Sequence, residues 1–336
     1  MKLVIWGAGA IGGTIGAYLV RAGHEVIFVD QDVDHVAAIN KSGVRIFGPI
    51  DEFTIPATAF TPDTIEGAYE TIVLSTKAHH TKGATGMLKP HLHPDGCVVS
   101  AQNGLNERVI AEIIGSQRTI GSFVNFGADY MEPGVIHFGG RGAVVLGEID
   151  SKITDRIQSL HQVFLDFDDK AIVTDNIWGF LWGKQAYGAM LYITALTDEA
   201  IADALADIRY RDLYITIAHE ILGVTQALGI KPESFNGFDS SAFMPGVAAD
   251  TSARSMDDMV AFNRKSAKTH SGIWRDLAVR KRATEVNAYD EVISEGKRLG
   301  IPTPVTARMI EMIHEIEAGK RPQALSNLDE LKASLG

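Results

Sequence analysis

The sequence predicts an α/β protein: an N-terminal Rossmann-type, doubly wound domain followed by a second, all-helical domain. Three observations carry that reading. The chain opens on a strand, a glycine turn, a helix and a second strand over residues 2–30. Apolar strand patterns then alternate with helical ones to about residue 175. From Asn176 onward the apolar period is that of helices alone. The predicted domains are a dinucleotide-binding unit at 1–175 and an all-helical substrate and dimerisation unit at 176–330.

Lys2 to Trp6 is a short apolar run that suits a buried parallel strand. Gly7, Ala8, Gly9, Ala10, Ile11 and Gly12 follow as G-x-G-x-x-G and form the candidate phosphate-binding segment. In this motif the first glycine permits a tight turn and the second lets a pyrophosphate lie against bare backbone. The third lets the helix pack closely on the strand, and the helix N-terminus offers N–H groups to the phosphates. Leu3 to Val20 carries no charge, yet its five glycines in 18 residues argue against a lipid-facing helix or a signal peptide. His24 to Val29 is the second strand, closed by Asp30. A carboxylate there accepts hydrogen bonds from ribose hydroxyls and repels a 2′-phosphate. No Lys or Arg lies between Arg21 and Lys41, so NAD is favoured, with NADP left open. The alternative is that Asp30 only begins and solvates a loop.

Further along, Val36 to Asn40 reads as a helix end and Ser42-Gly43 as a turn. Val44 to Phe47 and Phe53 to Ala57 read as an inserted hairpin. Thr71 to Ser75 and Val98 to Ser100 are strongly apolar strands. Ile120 to Phe123, Gly134 to Phe138 and Ala143 to Gly147 read as an appended antiparallel portion. Ile153 to Phe164 suits a helix and Ala171 to Thr174 a last strand. In the helical half, Ile201, Leu205 and Ile208 form one stripe; Ile217, Ile221, Val224 and Leu228 form another. Pro232 to Ala249 reads as a loop, Trp274 to Leu299 as a helix, and Val305 to Ala318 as the last helix.

Composition limits the function classes. Hydrophobic content of 46% and charged content of 22% suit an ordinary globular protein. A net charge of −11 argues against nucleic acid or an anionic membrane surface as partner. The single cysteine, Cys97, excludes an internal disulfide and sits in an apolar run, as a buried thiol would. No targeting signal is read at the start, so a reducing cytoplasm is the expected location. His79, His80, His91 and His93 match no metal-ligand spacing, and no metal is expected.

Ligands of open α/β sheets bind at the carboxyl ends of strands. Lys77 and Asn103 both fall there. Lys77 can contact cofactor phosphate or ribose; it equally reads as a solvated loop lysine. Asn103 can orient a nicotinamide or a carbonyl; Asn103-Gly104 equally reads as a turn. In the helical half, Lys184 lies among Trp178, Phe180, Leu181, Trp182 and Tyr187. Desolvation in such surroundings lowers a lysine's pKa and makes it a usable proton donor, unless the lysine snorkels at a helix edge. Glu285 follows the basic run Arg280-Lys281-Arg282 and either pairs locally or projects into a cleft.

Taken together, these residues resemble the ketopantoate reductase (2-dehydropantoate 2-reductase) family. The resemblance covers nearly the whole chain. It rests on G-A-G-A-I-G, S-T-K-A, Q-N-G, W-G-K, G-I-W-R-D-L…R-x-T-E and G-I-P-T-P-V, in that order. It implies hydride transfer between NAD(P)H and the carbonyl carbon of a 2-oxo acid. Lys184 would correspond to the family's proton donor and Glu285 to its acidic partner at the substrate hydroxyl. Asn103 would correspond to the asparagine that orients substrate and nicotinamide, and Lys77 to a lysine near the adenosine ribose. Four departures stand out. Asp30-Gln31 replaces a common arginine, Gly188 a substrate-touching asparagine, and Gly272 a substrate-touching serine. One extra residue also separates Asp276 from Glu285. The two glycines are expected to open a pocket in the substrate wall.

The expected function is therefore NAD-dependent oxidoreduction of a small 2-oxo acid or hydroxy compound, with ketopantoate as default substrate and a homodimer as the assembly to test. Oxidation of another small alcohol or hydroxy acid is the alternative enzyme reading. A non-catalytic NAD sensor is the third, against which retention of Lys184, Asn103 and Glu285 weighs.

Overall fold

The computed structural model describes residues 1–235, 237–265 and 269–335. The chain divides into two compact units, Met1–Ile177 and Trp178–Gly336.

The first unit is built on one ten-stranded sheet. Its strands are β1 (Lys2–Trp6), β2 (Glu25–Val29), β3 (Val44–Phe47), β4 (Phe53–Ile55), β5 (Thr58–Phe60), β6 (Tyr69–Leu74), β7 (Leu92–Ser100), β8 (Thr119–Glu132), β9 (Val135–Glu148) and β10 (Ile172–Val173). The order is β4-β3-β9-β8-β7-β6-β1-β2-β5, with β10 beside β9. The run from β8 through β7, β6, β1 and β2 to β5 is parallel throughout. Long β8 and β9 pair antiparallel. Their helices are α1 (Ala10–Arg21), α2 (Val33–Ser42), α3 (Thr81–Leu88), α4 (Glu107–Ile114) and α5 (Asp155–Leu165).

Connectivity forces the sheet to curl. β4 and β5 stand at opposite ends of the strand order, yet only Pro56 and Ala57 separate them in the chain. Three Cα steps span at most about 11 Å. The two ends therefore meet, and the sheet wraps α1. Gly12 to Leu19 are buried without a break. Tyr18 meets Phe53 of β4, Phe138 of β9 and Phe167, with ring centroids at 5.1, 5.7 and 5.5 Å. An enclosed helix cannot carry charge cheaply, which accounts for the uncharged run from Leu3 to Val20. The outer face of β1, β6 and β7 is covered by Ala84 and Leu88 of α3 and Ile110 of α4. Buried on both faces, these strands read as continuous apolar runs.

Differences from the sequence expectation have local causes. The hairpin Val44 to Ala57 is not an insertion outside the sheet, because β3 pairs parallel with β9. The separate runs Gly134 to Phe138 and Ala143 to Gly147 belong to one strand, β9, whose glycines lie in a pairing interrupted by register shifts. Strand β5 has no sequence signature; the Asn40 side chain fixes it, donating to the Ala59 carbonyl (2.8 Å) and accepting from the Ala59 N–H (2.9 Å).

The second unit is helical: α6 (Ile177–Ala195), α7 (Ile201–Ala206), α8 (Arg211–Ala227), α9 (Ala249–Arg264), the short turn α10 (Gly272–Trp274), α11 (Asp290–Leu299), α12 (Pro304–Glu317) and α13 (Ser326–Ala333). Helix α6 starts on the last residue of the first unit. Buried Glu220 of α8 caps α12 from a distance, accepting from the N–H groups of Val305 (2.9 Å) and Thr306 (2.8 Å) and from the Thr306 hydroxyl (2.7 Å). Its burial raises the carboxyl pKa above the usual range. Gln323 and Asn327 donate to the Ala195 and Leu196 carbonyls at the end of α6. Val305 to Ala318 is thus not the last helix, since α13 follows. Ile208 leaves its expected stripe: it begins a short 3₁₀ turn and is 76% exposed. The span Trp274 to Leu299 is not one helix. A π-helix at Arg275–Val279 ends before Lys281, whose φ is +50°, and α11 starts only at Asp290. Among the described residues, no helix is long and apolar enough to cross a membrane.

Candidate active site

The first unit gathers its candidates at the carboxyl ends of β1, β2, β6 and β7. The three motif glycines play different parts. Gly7 has φ +99°, and a Cβ there would lie 2.8 Å from the Thr76 nitrogen. A Cβ on Gly12 would lie 2.7 Å from Ile5 Cγ2 and 2.9 Å from Ser75 Cβ. Both glycines are required by the protein itself. At Gly9, among the described residues and apart from its chain neighbours, no atom lies within 4 Å of the Cβ position. The bare backbone at Gly9 faces open space, as a pyrophosphate cradle must. Helix α1 has no side-chain cap and no acidic residue in its first turn, so nothing in that turn repels an anion. These residues fit a dinucleotide.

The peptide of Ala8 is clamped on both sides. Its N–H donates to Asp30 Oδ2 (2.9 Å), and its carbonyl accepts from His35 Nε2 (2.9 Å). His35 Nδ1 accepts from the Gly134 N–H (2.9 Å), which fixes the neutral tautomer with its proton on Nε2. Gly134 lies in the turn between β8 and β9. Asp30 Oδ1 also accepts from the Asp32 N–H (3.0 Å). The carboxylate is therefore held beside the glycine turn rather than left to solvate a loop. Tyr130 stacks edge-on to His35, with centroids 5.0 Å apart. Burial and the charges of Asp32 and Asp30 push its phenol up to about 12. Sequence reasoning missed His35, because both its partners are backbone groups.

Lys77 and Asn103 are exposed and follow β6 and β7. A network inside the unit joins their loops. Gln102 Nε2 donates to the Thr76 carbonyl (2.8 Å) and to Thr81 Oγ1 (2.9 Å). Thr81 donates to Asn106 Oδ1 (3.1 Å), and Asn106 Nδ2 donates to the Asn103 carbonyl (2.6 Å). Gly104 has φ +99°, so the chain bends sharply after Asn103, whose side chain is exposed. Gln102 was visible in the Q-N-G motif, but its bracing role was not.

In the second unit, Lys184 is half-buried at the middle of α6. Gly183 before it is required: a Cβ there would meet the Glu233 carbonyl oxygen at 2.5 Å. Gly188 and Tyr192 follow Lys184 at four-residue spacing and share its helix face. Tyr192 is buried, and its phenol is pushed upward by burial first and by the Glu285 charge second. The Glu285 charge is thus felt at Tyr192, two turns along α6 from Lys184. Thr284 beside it is fixed by Glu317 Oε1, which accepts from its N–H (2.6 Å) and hydroxyl (2.7 Å). Arg280 Nη1 and Arg282 Nε both donate to Asp276 Oδ1 at 2.9 Å, so the basic run is anchored on Asp276.

The two substrate-wall glycines differ. Among the described residues, apart from its chain neighbours, Gly272 has no atom within 4 Å of its Cβ position. Gly188 does not open a pocket: its Cβ position lies 2.6 Å from the Tyr289 hydroxyl, which fills the space. That hydroxyl donates to the Gln185 carbonyl (2.9 Å).

Comparison with known proteins agrees with both units. The ketopantoate reductase PanE/ApbA family matches residues 3–151, and the ketopantoate reductase PanE/ApbA C-terminal family matches residues 176–317. A 2-dehydropantoate 2-reductase of Pyrococcus abyssi is 36% identical over 186 residues, which are 55% of this chain and 60% of that protein. The match thus spans less than two thirds of that relative. A 2-dehydropantoate 2-reductase of Mesorhizobium japonicum is 27% identical over 342 residues, covering 94% of this chain and 98% of its own. The fold is shared with D-mandelate dehydrogenase, solved with NADH and anilino(oxo)acetate, at TM-score 0.81 and 21% identity, over 95% of this chain and 99% of that one. The chain belongs to the ketopantoate reductase family of nicotinamide-nucleotide-dependent oxidoreductases.

Proposed function

We propose that this protein transfers hydride between NAD(H) and a 2-oxo acid/2-hydroxy acid pair, with residues 1–175 holding the nucleotide and 176–330 supplying the proton donor. The observation that carries the nucleotide reading is the open backbone at Gly9 beside a carboxylate, Asp30, clamped on the same turn. Gly7 to Gly12 and the start of α1 would hold the pyrophosphate. Asp30 would accept from the adenosine ribose and disfavour a 2′-phosphate, with Lys77 nearby on the phosphate or ribose side. When bound, the reduced nicotinamide supplies the hydride. Lys184 holds a proton toward the substrate's carbonyl oxygen and donates it as negative charge grows there. In the oxidative direction Lys184 takes that proton back. Glu285 accepts a hydrogen bond from the substrate hydroxyl, and Asn103 orients the carbonyl.

Ketopantoate is the default substrate. Oxidation of a different 2-hydroxy acid is the second reading, favoured by the Tyr289 hydroxyl that fills the space at Gly188. The single buried thiol, Cys97, suits a reducing cytoplasm, and sedimentation velocity would test for a homodimer.

Kinetics test the assignment. Lys184→Ala should lower kcat about 10²- to 10⁴-fold while nucleotide affinity stays; near-intact turnover would refute the proton-donor role. NADH should outperform NADPH in kcat/KM, and Asp30→Ala with Gln31→Arg should shift the ratio toward NADPH. A clear NADPH preference in the wild type would refute the Asp30 argument.

A further inference from the structure

Glu285 lies outside the α-helices. The chain turns at Lys281, whose φ is +50°, and α11 begins only at Asp290. Between them stands one 3₁₀ turn, Val286–Tyr289, with Glu285 at its N-terminal cap position. So short a turn has few backbone bonds of its own, and side chains must fix its place. The end of α12 supplies them. Glu317, the last residue of that helix, accepts from the Thr284 N–H (2.6 Å) and hydroxyl (2.7 Å) at Oε1. The Thr284 hydroxyl accepts in turn from the Val286 N–H at 3.3 Å. The backbone N–H groups on either side of Glu285 are thus tied through Thr284 to one carboxylate. Glu317 Oε2 pairs with His314 Nδ1 at 2.8 Å, and His314 Nε2 pairs with Asn287 Oδ1 at 2.8 Å. Helix α12 therefore grips the turn one residue before Glu285 and two residues after it.

The position of Glu317 is one a helix by itself disfavours. A carboxylate at a helix C-terminus meets the negative end of the dipole, and this side chain is only 14% exposed. Its bonds to Thr284 and His314 offset that cost. We propose that Glu317, with His314 behind it, is the positioning residue for Glu285: it acts by holding the turn that aims the Glu285 carboxylate. The inference rests on the reading of Glu285 as the acid that meets the substrate hydroxyl. A group misplaced by about 1 Å can cost about 10²-fold in rate, and an acid carried on so short a turn is exposed to that loss unless the turn is braced.

A double-mutant cycle tests it, on the purified full chain with NADH and ketopantoate, or phenylglyoxylate where ketopantoate is not turned over. Glu317→Ala should lower kcat/KM for the oxo acid about 10- to 100-fold, with the Kd for NADH within about twofold of wild type. In a Glu285→Ala background the same change should cost no more than about a further twofold, because its effect passes through Glu285. Glu317→Gln keeps an oxygen for Thr284 and an amide for His314, and should recover most of the loss. Thr284→Val removes the hydroxyl alone and should repeat the Glu317→Ala pattern in both backgrounds; it carries the cycle if Glu317→Ala does not fold. An impaired Glu285→Ala beside a Glu317→Ala of wild-type kcat/KM, or an equal loss from Glu317→Ala in both backgrounds, overturns the inference and leaves the Glu285 reading standing. Wild-type kcat/KM in Glu285→Ala, or NADH binding without turnover of either acid, overturns both.

Discussion

His35 offers a direct test of how the glycine turn is held. Truncation to alanine removes two hydrogen bonds at once and leaves their partners behind. The orphans are the Ala8 carbonyl and the Gly134 N–H, both within the buried interior. A buried polar group left unpaired costs about 1–3 kcal/mol, so the two together cost about 4 kcal/mol. Loss of the edge contact with Tyr130 adds about 0.5–1.5 kcal/mol. Urea unfolding followed by tryptophan fluorescence should therefore show the first unit destabilised by about 5 kcal/mol. Nucleotide affinity should fall as well, because the turn must now be ordered by the ligand. Each 1.4 kcal/mol moved to binding raises the Kd for NADH about tenfold. His35→Gln restores the donor to Ala8 but not the acceptor for Gly134, and should recover about half of each loss. If His35→Ala unfolds within about 1 kcal/mol of wild type and binds NADH equally well, the two-sided clamp does not hold the turn.

The remaining predictions address single groups. Gly9→Ala should leave unfolding within about 0.5 kcal/mol of wild type, yet weaken NADH binding about tenfold or more, because the methyl enters space only a ligand would use. Gly12→Ala should instead destabilise the fold by about 1–3 kcal/mol, since its methyl overlaps Ile5 and Ser75; equal stability of the two variants would contradict the division of roles. Cys97, pushed up to about 11 by burial, should resist a thiol reagent at pH 8 in the native protein and react at once in denaturant. Tyr130 ionises at about 12 in the fold against 10.0 when free, so its neutral form is the one the fold favours. The stability this gives is complete below pH 10 and is lost as the pH rises toward 12; the difference in unfolding free energy between wild type and Tyr130→Phe should shrink across that window.

Legibility in the sequence followed the range of the interaction. Residues 2–30 could be read almost residue by residue, because the glycine spacing and the apolar runs around it fall within one strand–turn–helix–strand unit. Lys184 was marked by its aromatic surroundings and Asp30 by its place after β2. What escaped was specified by contacts from afar. β5 exists because Asn40 pairs with Ala59, and nothing in the triplet Thr-Ala-Phe announces that. α9 buries Ser252, Ser255, Met256 and Met259, a face too polar to show a hydrophobic period. His35 carried no signal in the sequence, because its second partner lies 99 residues away. The filling of the Gly188 gap by Tyr289 was hidden for the same reason: a missing side chain is visible in a sequence, but its replacement from another segment is not.

The curled sheet around α1 also bears on how the chain acquires its structure. α1 is complete by residue 21, but its flanks are sealed only by β3, β4, β8 and β9, the last of which ends at Glu148. Such pairings are distant in sequence, which slows folding and leaves early intermediates sticky. During synthesis the glycine-rich segment must therefore wait, apolar and uncovered, until more than a hundred further residues have emerged. Fragments cut before β8 should aggregate rather than bind nucleotide.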